Sequence, residues 1–118
     1  MTSSLNNNLI IAQSYYNAMM EKNFTKMASC IHENVHFISP FITMSGKQNV
    51  VDAAKKFAET LENFQIRTSF LADDQVMLVY NMVLSKPIGE LRACTFMKFT
   101  DDQISHIELF FDTKIFIL

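Results

Sequence analysis

A chain of 118 residues with 49% hydrophobic and 19% charged content, two Gly and two Pro carries enough apolar material for one core and nothing that marks a linker, so a single domain over residues 1–118 is expected. Ten Lys plus Arg against twelve Asp plus Glu give a net charge of −2 with no basic cluster, which excludes the electrostatic footprint of a nucleic-acid binder. No stretch approaches a membrane span, the run Leu9-Ile10-Ile11-Ala12 is too short for a secretory core, and Cys30 and Cys94 form no CxxC pattern; reduced thiols and a cytoplasmic location are expected, and no cofactor.

Apolar residues at Leu5, Leu9, Ala12, Tyr16 and Met19 follow helical spacing and predict a first helix to about Lys22, with Ser3 or Ser4 as its cap and Tyr15 on its flank. Phe24, Met27, Ala28 and Ile31 predict a short second helix capped by Asn23. Next comes His32-Glu33-Asn34-Val35-His36, which has the letters of the zinc-protease motif HExxH. That motif requires one continuous helix, where positions i and i+4 share a face. Here Val35-His36-Phe37-Ile38-Ser39 is β-prone and runs into Pro40, so a strand should begin inside the motif and no metal site is expected.

After a loop from Pro40 to Met44, Ser45-Gly46-Lys47-Gln48 has the form of a capping box, and Val50, Val51, Ala54, Phe57, Ala58 and Leu61 give the apolar face of a third helix. Period-two alternation then predicts a strand around Phe64, Ile66, Thr68 and Phe70, a turn at Asp73-Asp74, and further strands over residues 75–85, 90–99 and 104–112. The turns between these lie at Lys86-Pro87-Ile88-Gly89 and Thr100-Asp101-Asp102-Gln103. The element order is ααβαββββ, an α+β fold of three helices on a curved antiparallel sheet, with Leu91, Ala93, Thr95, Met97 and Phe99 on its concave side. The strand over residues 75–85 is apolar on both phases, so each of its faces needs a cover. The helices cover one. A homodimer through the outer face, with Met77, Val79, Val83, Phe96 and Phe110 at the interface, would cover the other, next to the apolar tail Ile115-Phe116-Ile117-Leu118.

This order of elements, the helical Ala12-Gln13-Ser14-Tyr15-Tyr16-Asn17-Ala18, the phrase Val35-His36-Phe37-Ile38-Ser39-Pro40 followed by Gly46 and a helix, and the closing Ile104-Ser105-His106-Ile107-Glu108-Leu109-Phe110-Phe111-Asp112 resemble the nuclear-transport-factor-2-like superfamily, especially its SnoaL-like and ketosteroid-isomerase-like branch. The resemblance implies a cone, a cystatin-like roll with an apolar pocket at one end, commonly dimerised through the sheet. It places Tyr15 where ketosteroid isomerases have the tyrosine that donates a hydrogen bond to the developing enolate, making Tyr15 the best catalytic candidate. The position of their general-base aspartate is taken by Ser39, whose hydroxyl cannot accept a proton near neutral pH, and that of their protonated acid falls near Thr95.

The Asp-Arg-Asp set of the related epoxide hydrolases would fall near Met82, Tyr80 and Leu109, none of which activates water. A cyclase of the SnoaL type would need a pocket carboxylate with histidine support, yet His106, Glu108 and Asp112 occupy the phase opposite to the apolar Ile107, Leu109 and Phe111. The expected pocket is Tyr15, Ser39, Phe57, Tyr80, Met82, Thr95, Met97, Leu109 and Phe111. Three functions stay open: a pocket protein for a small apolar or polycyclic ligand, an isomerase, dehydratase or cyclase with a non-standard base, and a non-catalytic association module.

Overall fold

The computed structural model describes residues 4–116, so the Ser3 cap and the tail residues Ile117 and Leu118 lie outside the described residues. Helix α1, Ser4–Glu21, buries Ala12, Tyr15, Tyr16, Ala18 and Met19, a stripe at helical spacing. It ends where Lys22 takes a left-handed φ of 58°, with Asn23 N–H bonded to Ala18 O at 2.8 Å and Lys22 N–H to Met19 O at 3.1 Å. Glycine is the usual residue at such a stop. Lys22 serves instead, and its Nζ donates to Ala58 O at 2.9 Å, tying this turn to a later helix. Asn23 caps α2, Phe24–Ser29, by accepting from Lys26 N at 3.2 Å.

Strand β1 runs Ile31–Ile38 and therefore takes in the whole HExxH segment, earlier than the expected start at Val35. The reason is that α2 closes at Cys30, whose N–H bonds to Met27 O. Four residues of strand span about 13 Å, which separates the two imidazoles. His32 Nδ1 accepts from Asn34 N at 3.0 Å, and His36 Nδ1 lies 2.9 Å from Ser45 Oγ.

Part of the expected loop is strand β2, Thr43–Ser45, paired with β1 through His36 and Ser45. That pairing also corrects the capping box. Ser45 is held in the ladder, so the cap of α3, Lys47–Thr60, moves to Gly46, whose φ of 94° suits glycine. Gln48 turns forward along the helix and donates to Asp52 at 2.9 Å.

The chain then runs through β3 (Leu61–Ala72), β4 (Gln75–Leu84), β5 (Gly89–Thr100) and β6 (Gln103–Phe111), and ends in a 3-10 turn, Thr113–Phe116. The six strands are ordered β2-β1-β6-β5-β4-β3, an open, curved sheet under three helices. It is mixed rather than wholly antiparallel, because β1 pairs with β6 in parallel. Register shifts at Leu61/Asn63 and Ile66/Thr68 in β3, at Lys98/Phe99 in β5 and at Ile31/His36 in β1 supply the kinks that such curvature requires. Asp101 and Asp102, with φ of 53° and 61°, form the two-residue β5–β6 turn and point to solvent, as Asp73 and Asp74 do in the turn before β4. Burial alternates along all of β4: Val76, Leu78, Tyr80, Met82 and Leu84 face the helices, while Met77, Val79, Asn81 and Val83 are half-buried on the outer side. Among the described residues no helix is long and apolar enough to cross a membrane.

Candidate ligand site

The concave face is a set of cross-strand rows. Met82 lies beside Leu91; Tyr80 beside Ala93 and then Phe111; Leu78 beside Thr95 and then Leu109; Val76 beside Met97, then Ile107, then Phe37. Helix α3 crosses these rows with Val50, Ala53, Ala54 and Phe57, and α1 with Tyr15, Tyr16 and Met19. Two adjacent alanines on α3 leave space that larger side chains would have filled. The result is a cavity of about 310 Å³, walled by these helical residues and by Phe37, Tyr80, Met82, Leu91, Ile107, Leu109 and Phe111 of the sheet, and rimmed by Ser39, Phe41, Ile42, Met44 and Phe116.

At the floor three hydroxyls meet. Thr95 Oγ1 lies 2.6 Å from Tyr16 Oη and 2.5 Å from Tyr80 Oη, and the two tyrosine oxygens are 3.3 Å apart. Each hydroxyl can donate once and accept once, so the ring satisfies itself, a requirement for polar groups at full burial. Phe64 of β3 packs on it, with centroids 4.7 Å from both Tyr16 and Tyr80, and Tyr15 meets Tyr16 edge-on at 5.0 Å.

Burial raises the pKa of all three tyrosines. For Tyr15 and Tyr16 the nearby Tyr80 adds to this; for Tyr80 the bonds from Thr95 and Tyr16 offset burial only in part. Near neutrality the tyrosines are uncharged donors. No carboxylate, imidazole, amine or thiol lines the cavity among the described residues.

Seven of the nine expected pocket residues reach the cavity: Tyr15, Ser39, Phe57, Tyr80, Met82, Leu109 and Phe111. Thr95 and Met97, fully buried, stand behind its wall. The resemblance coupled Tyr15 with Thr95, whereas the structure seats Tyr16 on Thr95 and leaves Tyr15 outside the ring. Ser39 lies at the rim with its hydroxyl bonded to the backbone of Phe41 and Ile42. His106 and Glu108 pair with each other at 3.4 Å outside the cavity, and Asp112 accepts from Lys114 N at 2.9 Å. Tyr16 was hidden among the apolar positions of helix one. The available signal was that Tyr80 and Thr95 lie on the inward phases of neighbouring strands, where a third hydroxyl would be needed.

Residues 12–107 match the family model of the SnoaL-like domain. The chain belongs to that family. No curated protein matches it by sequence. Among solved structures, an NTF2-like protein of unknown function from Cytophaga hutchinsonii is 15% identical, covers 94% of this chain and 95% of its own, and superposes with a TM-score of 0.84. A ketosteroid isomerase candidate from Kribbella flavida is 12% identical over 93% of this chain and 81% of its own, with a TM-score of 0.83. An LEH-like epoxide hydrolase from M. tuberculosis is 11% identical over 95% and 87%, with the same TM-score. At these identities the likeness is one of fold.

Proposed function

We propose that this SnoaL-like protein binds a neutral, apolar small molecule of about two rings and does not act as an acid–base catalyst. The observation that carries the reading is the 310 Å³ cavity whose described wall offers tyrosine as its sole titratable residue type, with every such tyrosine held protonated. A cavity of about 150 Å³ holds one benzene ring, so this one suits a bicyclic skeleton and is small for a four-ring one. Proton abstraction needs a base near neutral pH, which protonated tyrosines do not supply. The free cysteines, Cys30 buried and Cys94 half-buried, suit a reducing, cytoplasmic setting.

Titration with naphthalene, followed by its fluorescence, tests the reading. Saturable binding at one site per chain is expected, with an affinity unchanged between about pH 6 and 9, where no tyrosine of this kind titrates. Ala54→Leu, which fills the space under α3, should abolish binding with the fold retained. No saturation in the wild type, or undiminished binding in Ala54→Leu, would overturn it.

A second reading concerns association, and the outer face of the sheet favours it. Phe70 and Phe110 are 59% and 45% exposed there, beside half-buried Met77, Val79, Val83 and Phe96, and Asn81 Oδ1 is buried on this face with no partner among the described residues. A second copy would cover the apolar rows and bring a donor to Asn81. Such a homodimer needs about 800 Å² per partner. Sedimentation equilibrium at low micromolar concentration should give a dimer that Phe110→Lys converts to monomer; a wild-type monomer would refute it.

A further inference from the structure

The rim of the cavity is held differently from its floor. Phe41 and Ile42 are the cavity residues most open to solvent, at 59% and 52% exposure, and mark its mouth. The ring of Phe41 lies 5.6 Å from that of Phe111 at the end of β6 and 5.5 Å, edge-on, from that of Phe116 in the 3-10 turn; Phe111 and Phe116 are 5.5 Å apart. Segments distant in sequence thus meet over the opening through aromatic rings.

Phe41 sits on the only stretch between β1 and β2, and Ser39 organises it. Ser39 N–H donates to Ile42 O at 2.9 Å, while Ser39 Oγ accepts from Phe41 N at 3.3 Å and Ile42 N at 3.2 Å and lies 3.2 Å from Ile42 O. The hydroxyl is committed to the backbone of the turn, the local role to which serine is suited. It has little left for a ligand.

We infer that Phe41, Phe111 and Phe116 form an aromatic gate over the cavity, and that Ser39 is a positioning residue that latches the arm carrying Phe41. The inference rests on the reading of the cavity as a ligand site and adds how that ligand enters. Entry and exit cross the same barrier, so a weaker latch raises kon and koff together and leaves Kd nearly unchanged. A direct contact between Ser39 and the ligand would show instead in koff and Kd.

Stopped-flow mixing with naphthalene separates these. Phe41→Ala should raise both rate constants by about tenfold, the factor that one to two aromatic pairs supply. Ser39→Ala should raise both in the same direction with Kd altered less than about threefold, and Ser39→Thr, which keeps the hydroxyl, should restore wild-type rates. Amide exchange in ligand-free protein gives an independent reading: Phe41 and Ile42 amides should exchange faster in Ser39→Ala and at the wild-type rate in Ser39→Thr. An unchanged kon in Ser39→Ala and Phe41→Ala, or a change in Ser39→Ala confined to koff, overturns the gate. If naphthalene fails to bind at all, the ligand reading falls, and the amide exchange alone decides the latch: unchanged exchange refutes it, faster exchange supports it.

Discussion

The floor and the mouth of the cavity are both built from three side chains that meet, and they are built for opposite ends. At the floor, Tyr16, Tyr80 and Thr95 are wholly or almost wholly buried and joined by a closed ring of hydroxyls. At the mouth, Phe41, Phe111 and Phe116 touch through their rings, and Phe41 is more than half exposed. A buried hydroxyl that loses its partner keeps its full desolvation cost, whereas an exposed ring that loses a neighbour forfeits a modest contact. The floor is therefore where stability resides, and the mouth is the part that can open at little cost.

Thr95→Val should have the largest effect on stability. It keeps the shape and removes the oxygen shared by both tyrosines, so a loss of about 2–3 kcal/mol is expected in denaturant unfolding. A loss no greater than that of Phe41→Ala would break the distinction between floor and mouth.

Alkaline titration sharpens it. Below about pH 10 the tyrosines are protonated in both the folded and the unfolded chain. Above it the unfolded chain releases its protons first, so the stability contributed by the raised folded values is whole below the ordinary tyrosine range and is lost as pH climbs toward them. Tyr16→Phe removes one such group and should make the decline shallower by about 1.4 kcal/mol per pH unit in that window. An identical slope would mean that burial does not hold Tyr16 protonated. The smallest effect belongs to Phe41→Ala, expected to cost less than about 1 kcal/mol in the same unfolding measurement because so much of the ring is already in water.

What could be read from the residues follows the same division. Alternation along β3 and β6 and the helical spacing of α1 and α3 are local, and they announced these elements, the inward phase of Ile107, Leu109 and Phe111, and the outward placing of His106 and Glu108. Strand β2 escaped because three residues after a proline are too few to show a period. The early start of β1 escaped because its register shift interrupts the alternation between Ile31 and His36. The parallel pairing with β6 leaves no local trace at all. The hydroxyl ring depends on three elements arriving at one point. A tyrosine at an apolar helical position therefore reads as core until the neighbouring strands are in place.

That parallel pair also sets the order in which the molecule can be built. The hairpins from β3 to β6 close short loops and can form early, whereas β1 must wait for β6, from the far end of the chain, before Phe37 finds Ile107. The cavity wall is complete only when this last seam closes. A molecule bound there would have nothing to hold in the partly folded chain: it would act on the lifetime of the finished protein, slowing unfolding, and would leave the rate of folding as it was.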